Sequence, residues 1–208
     1  MQKQAIILLS GGIDSATTLY WAIKKGYKCQ ALIFDYGQRH KKEIKSAKKL
    51  AQLNKVPYLV LSIKLPWKGS SLLDKTRKIP IREKMTGIPS TYVPARNTIF
   101  LSFALSFAES IGAAAIIIGA NAVDFSGYPD CRPGYYTAIQ KLANKALKRG
   151  KIKIITPLLK LSKTKIIKLA KSMGVPIEST WSCYQGGKIP CGVCDSCKIR
   201  NKALLQAK

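Results

Sequence analysis

The sequence predicts an α/β fold: a five-stranded, mostly parallel sheet with helices on both faces, plus a small C-terminal four-cysteine region. Three observations predict it. Short apolar runs of strand length alternate with amphipathic helical patterns, the signature of a parallel sheet covered on both sides. The first run, AIILL (5–9), ends in the glycine pair of SGGIDS (10–15) and a helical pattern follows. Four of the six cysteines lie within 183–197, after the alternating part of the chain.

The elements follow in order. AIILL is the first strand, and a helix is expected over about 14–25. CQALIFDY (29–36) is the second strand, followed by a helix over about 40–54. PYLVLSI (57–63) is the third. Residues 65–94 carry Pro66, Gly69, Pro80, Gly87, Pro89 and Pro94 and read as irregular. A loop that long in a compact domain suggests a lid, a dimer contact or short hidden elements. A helix over about 95–111 has an apolar face of Ile99, Phe100, Phe103, Phe107 and Ile111. AAIIIGA (114–120) reads as a buried strand, and a helix is expected over about 134–148. KIKIITP (151–157) is the fifth strand, and Ser162 has the chemistry to cap a helix over about 163–172. The organisation expected is one unit over 1–178 with a cysteine-rich tail, 179–208, packed as part of it and ending in a short helix.

Composition narrows the class. No apolar run approaches the roughly 18 residues of a membrane span, and no basic-apolar signal segment opens the chain. A cytoplasmic protein is expected. The formal charge is +26, from 36 basic and 10 acidic side chains. That charge suits polyanionic partners. Yet 29 of the basic residues are Lys and only 7 are Arg, spread from end to end. Planar base and phosphate recognition favours Arg, so a general compositional bias competes with a nucleic-acid groove.

SGGIDS joins a strand to a helix. Glycines there let backbone amides approach an anion, and the helix N-terminus adds unpaired N–H donors and partial positive charge. The plain alternative is a tight turn with Asp14 as a cap. The motif is neither a Walker A loop nor G-x-G-x-x-G. It lacks the lysine that reaches the β- and γ-phosphates in γ-transfer.

The tail reads C-x7-C-x2-C-x2-C at Cys183, Cys191, Cys194 and Cys197. Four thiolates close a tetrahedral site and leave no position for water, which suits structural Zn²⁺. An Fe–S cluster is the rival. Cys29 begins an apolar strand and reads as core. Cys131 reads as pocket packing, with a nucleophile as the alternative.

Other polar clusters follow strands and could line one mouth of the sheet. DYGQRH (35–40) offers Asp35, Tyr36, Gln38, Arg39 and the only histidine, His40. A stacking ring beside edge-bonding groups suits a nucleobase-like ligand. His40 is a candidate general base, against an ordinary solvated or capping histidine. VPARN (93–97) puts Arg96 at a helix start, where a guanidinium could hold phosphate. NAVDFSGYPDCRP (121–133) carries Asp124, Ser126, Tyr128, Asp130 and Arg132 in a loop too polar for simple packing.

LLSGGIDSAT, DYGQRH, VPARNTIFLS, DFSGYPDCRP and the four cysteines together span residues 8 to 197. In these the chain resembles the 7-cyano-7-deazaguanine synthases, nitrile-forming enzymes of queuosine and archaeosine biosynthesis. Their superfamily is the PP-loop N-type ATP pyrophosphatases. SGGIDS alone marks only that superfamily; the combination is specific. The resemblance implies a PP-loop fold and an ATP-dependent carbon–nitrogen ligase. Its substrates would be 7-carboxy-7-deazaguanine and ammonia, its products the nitrile, AMP and pyrophosphate, with adenylylated acid and amide between them. The chain has no room for a glutamine amidotransferase domain, so free ammonia is the expected donor.

The resemblance also assigns residues. Leu8 and Leu9 end the strand, Ser10, Gly11, Gly12 and Ile13 make the turn, and Asp14, Ser15, Ala16, Thr17 and Thr18 open the helix. This stretch, with Arg96, is implied to bind ATP, Asp14 and Ser15 being catalytic and Asp14 acting through Mg²⁺. Asp35, Tyr36, Gln38, Arg39, His40, Asp124, Ser126, Tyr128, Asp130 and Arg132 are implied substrate contacts. One structural Zn²⁺ per chain, a homodimer and no obligatory nucleic acid or membrane partner complete the expectation. One departure is Ala95, where many relatives have glycine; it bears on Arg96. Two other classes compete: a PP-loop enzyme acting on tRNA directly, by thiolation or lysidine-type chemistry, and a non-catalytic zinc-ribbon nucleic-acid binder.

Overall fold

The structure, a computed structural model, describes residues 2–81, 87–122, 127–148 and 151–207. Five strands form one sheet: β1 (Gln4–Leu8), β2 (Lys28–Asp35), β3 (Tyr58–Ser62), β4 (Ala115–Ile117) and β5 (Lys153–Ile155). Their order is β3-β2-β1-β4-β5, and all four pairings are parallel. β1 is central because it is apolar on both faces, which only a strand covered on both sides tolerates. Chain order reverses between β1 and β4, so a crevice opens at their carboxyl ends.

Alternation along β1 splits the core. Ala5 and Ile7 face α1 (Ile13–Lys24), α2 (Lys42–Leu53) and α5 (Lys163–Ser172) through Leu19, Ala47, Leu50 and Ala170. Ile6 and Leu8 face α3 (Arg96–Ser110) and α4 (Pro133–Ala146) through Leu101, Ala104, Leu105 and Ile139. Helices therefore cover both faces, as expected. α6 (Asp195–Gln206) packs through Ala203 beside Ile13 and Ile167. Ser162 caps α5 by accepting from the Lys165 amide. Among the described residues no helix is long and apolar enough to cross a membrane.

Two expectations are corrected. The aromatic stripe of α3 is its flank: Phe103 is 42% exposed, while Leu101, Ala104 and Ala108 are fully buried. Alanines let the helix approach the sheet closely, and the rings fill the margin, with Phe100 stacked on Phe34 at 4.0 Å. The described part of 65–94 is not a detached lid, because Leu72, Ile79 and Val93 belong to the core cluster. The Arg39 amide donates to the Leu72 carbonyl, tying this segment to the end of β2.

Candidate active site

A cavity of about 280 Å³ lies at the carboxyl ends of β1, β2 and β4. SGGIDS forms one wall. Ser10, Gly12, Ile13, Asp14 and Ser15 line it, below Leu8 and Leu9. The Ser15 hydroxyl closes the turn by donating to the Gly12 carbonyl at 3.0 Å and accepting from the Ser10 amide at 3.2 Å. Gly12 caps α1, and no side chain caps it. Asp14 is thus not a cap.

The glycines have different reasons. Gly11 has φ +85°, and a Cβ there would stand 2.1 Å from the Glu43 carbonyl oxygen and 2.7 Å from the Ala47 nitrogen. Gly11 exists to let α2 lie against the loop, and it is outside the cavity lining. Ala16, Thr17 and Thr18 are also outside it, each at 0% exposure. Ala16 packs in the sheet core, and Thr17 bonds back to the Ile13 carbonyl at 2.7 Å. Ala16 and Thr17 thus serve the first turn and its packing on the sheet.

The fold supplies the lysine that the loop lacks. Lys163, from the first turn of α5, donates to Asp14 Oδ2 at 2.6 Å, and Asn121 donates to the same oxygen at 3.1 Å. Asp14 Oδ1 is buried with no hydrogen-bond partner. Nothing local in the sequence pointed to Lys163, which lies 149 residues from Asp14.

The opposite wall is aromatic and charged. Tyr36 is buried, and burial pushes its phenol up to about 12. Arg96 donates to the Tyr36 hydroxyl at 3.3 Å and stands over its ring at 5.8 Å. The residue before it, Ala95, caps α3 at φ 51°, ψ 26°, a left-handed conformation. Tyr128 and Cys131 line the cavity, and Tyr128 shares a hydrogen bond with Thr91 at 2.8 Å. Glu43, which sequence reasoning missed, lines this wall with its side chain 19% exposed. Burial raises its carboxyl to about 7 against the opposing pull of Arg96 and of the Gln38 hydrogen bond. His40 also lines it, and burial holds its imidazole down at about 4.

Other residues singled out from sequence stand apart from the cavity. Asp35 pairs with Lys41 at 2.9 Å. The Gln38 amide is taken by Phe34, Tyr36 and Glu43. Arg39 donates to the carbonyls of Lys75 and Arg77. Asp130 accepts from the Asn97 amide at 2.9 Å and so caps α3 from another loop. Arg132 is exposed. None of these five side chains is in the lining of this cavity. Asp124 and Ser126 lie outside the described residues.

The cysteine tail closes the cavity. Trp181, Ser182, Tyr184, Ile199 and Arg200 line it. The Trp181 amide donates to the Gly11 carbonyl at 2.9 Å. Lys42 stands over the Trp181 ring at 4.6 Å. A Cβ on Gly186 would lie 2.5 Å from His40 Cβ, so glycine is needed where the tail crosses the histidine. The thiol sulfurs of Cys183, Cys191, Cys194 and Cys197 lie within 4.8 Å of one another. Tetrahedral zinc with bonds of ~2.3 Å sets its sulfurs ~3.8 Å apart, so the four fit a metal. Amides of Cys191 and Cys194 already point at Sγ of Cys183 and Cys191, at 3.3 and 3.4 Å, the support thiolate ligands require.

The family model of the queuosine biosynthesis protein QueC matches residues 4–208. The chain belongs to the QueC family. Its relatives include a 7-cyano-7-deazaguanine synthase of Trichodesmium erythraeum, 50% identical over 98% of this chain and 96% of its own length. Another, from Microcystis aeruginosa, is 53% identical over 100% of this chain and 93% of its own. Among solved structures, the NMN synthetase from Francisella tularensis aligns with TM-score 0.53 at 16% identity, covering 100% of this chain and 87% of that one. That last likeness concerns the fold alone.

Proposed function

We propose that this protein converts 7-carboxy-7-deazaguanine and ammonia to 7-cyano-7-deazaguanine, splitting ATP into AMP and pyrophosphate at each of two activations. One observation carries the reading: the SGGIDS loop and the Tyr36–Arg96–Glu43 wall line a single cavity. Phosphates and a purine-like ring can then meet at the crevice of the sheet. The relatives' names support the same reaction.

The residues suit the steps. The Gly12 turn and the start of α1 receive the departing pyrophosphate with amides and helix dipole. Lys163 offsets the charge of Asp14, which would otherwise repel phosphate. The unpartnered Asp14 Oδ1 fits a hydrated Mg²⁺, which when bound would screen the phosphate charge. In this reading Tyr36 and Tyr128 stack on and orient the deazaguanine, and Arg96, expected at ATP, extends over the Tyr36 ring to meet both substrates. The enzyme's share is positioning and electrostatics. A carboxylate oxygen attacks the α-phosphorus, and pyrophosphate leaves. Ammonia displaces AMP to give the amide. A second adenylylation, on the amide oxygen, lets AMP leave with that oxygen and the nitrile form.

Zinc in the four-thiolate site is structural in this reading, because it fixes the tail that carries Trp181 and Arg200. Residues 1–178 are the catalytic unit and 179–208 its built-in wall. The protein works in the cytoplasm as a homodimer, for which the half-exposed Phe103 flank of α3 is one available surface. The test is direct. Purified protein with ATP, Mg²⁺, ammonia and the carboxylic acid, without RNA, should yield AMP and nitrile by mass spectrometry. Turnover that strictly requires tRNA would support direct action on tRNA instead.

A further inference from the structure

The proposed reaction leaves protons to be placed. Ammonia's nitrogen enters with three hydrogens and ends in a nitrile with none. A group in the cavity must accept them in turn.

Among the described residues, two carboxylates line the cavity, Asp14 and Glu43. Asp14 already has one oxygen engaged, by Lys163 at 2.6 Å and Asn121 at 3.1 Å, and it lies in the loop assigned to phosphate. Glu43 is placed differently. It sits in the first turn of α2, whose backbone is pressed against the Gly11 turn of the phosphate loop. Gln38 anchors its Oε1 at 2.9 Å. Its Oε2 stands 3.8 Å from His40 Nδ1, beyond a direct hydrogen bond. That nitrogen is buried and unpartnered. Glu43 therefore lies between the loop assigned to phosphate and the ring-and-guanidinium wall assigned to the base, where the reacting carbon would be.

We propose that Glu43 is the proton acceptor of the nitrogen-transfer steps, with Gln38 and His40 as positioning residues. This rests on the function proposed above. The groups that face Glu43 are Arg96 from α3, Asp35 and Tyr36 from the end of β2, and His40 from the loop before α2. Burial outweighs Arg96 and brings the carboxyl to about 7, where a general base is effective in neutral solution. The imidazole, held down at about 4, stays neutral and adds no opposing charge.

The steps balance. When ammonia's lone pair forms the C–N bond, one N–H bond breaks towards Glu43 and AMP leaves with the C–O pair. O-adenylylation of the amide releases the second proton as C=N forms and pyrophosphate departs. Loss of the third proton supplies the pair for C≡N while AMP leaves with the former amide oxygen. Glu43 returns each proton to solvent between steps.

Glu43→Gln keeps the shape and the acceptor for Gln38. Two assays separate its effects: acid-dependent exchange of pyrophosphate into ATP without ammonia, which breaks no N–H bond, and nitrile formation. Because Glu43 also lines the wall that holds the acid, exchange should fall, by less than about 10-fold, while nitrile formation falls at least ~100-fold. At constant free ammonia the wild-type rate should rise through pH of about 7, and that limb should vanish in the variant. Nitrile formation within about 3-fold of wild type, or both assays falling to the same extent, would overturn the proposal. If the Gln variant lacks a cooperative melt, Glu43→Asp decides: it must turn over slowly with the pH limb intact, and a limb-free rate overturns the role. Wild type run alongside distinguishes the claims. No nitrile from wild type refutes the proposed function; wild-type turnover with an unaffected Gln variant refutes only the role of Glu43.

Discussion

The two walls of the cavity are built by opposite strategies. The phosphate wall is local: one strand end, one turn and one helix start, all within residues 8–15. The base wall is assembled from afar: Tyr36 from just after β2, Glu43 from α2 and Arg96 from α3. Backbone amides bind phosphate in any protein with that turn, so a local motif suffices. A specific ring needs side chains converging from several directions, and only the tertiary fold provides them. Distant residues then buttress the local wall: Lys163 and Asn121 on Asp14, and the Trp181 amide on the Gly11 carbonyl.

The comparison breaks most visibly if the tail is loosened. Removing the metal with a chelator, or Cys194→Ser, should free the Trp181–Arg200 wall, lower Tm by roughly 10 °C or more and abolish nitrile formation. Elemental analysis should find about one zinc per chain; iron with visible absorbance would contradict the assignment. Asp14→Asn tests the local wall alone. Pyrophosphate release should fall ~1000-fold with thermal stability near wild type, and full activity would remove Asp14 from the chemistry. A smaller effect concerns Glu43. Its folded pKa of about 7 lies above the ordinary 4.5. Its stabilising contribution is therefore complete below about pH 4.5 and is lost as pH rises through about 7. The loss should be at most ~3 kcal/mol, and Glu43→Gln should flatten it in urea titrations across that window. Smallest is Ala95→Gly. Relief of the left-handed conformation should add about 1 kcal/mol of stability, and a loss on denaturation would deny the strain.

The same contrast explains what was legible. Strand and helix positions were, because apolar period and length survive in sequence: Ser162 was read as a cap and caps α5. At Gly11 the loop pattern shows a turn glycine, but not that α2 packs where its Cβ would be, 2.1 Å from the Glu43 carbonyl oxygen, a contact that no local pattern reveals. Asp35 and Gln38 carry ligand-like chemistry, and only the structure shows their partners here, Lys41 and the turn itself. Glu43 sits three residues after His40 in a charged helix, where composition reads as solvent-facing. Its place in the cavity lining comes from tertiary neighbours, Gln38 on its Oε1 and Arg96 across from it, which no local pattern reveals.

The central claim is that the carboxylate loses both oxygens to AMP, one at each activation. The direct measurement uses 7-carboxy-7-deazaguanine with both carboxylate oxygens as ¹⁸O, in a reaction with the purified protein, ATP, Mg²⁺ and ammonia. The account predicts two AMP per nitrile, each AMP carrying one ¹⁸O. Label appearing in water or inorganic phosphate, or a single labelled AMP per nitrile, would contradict it.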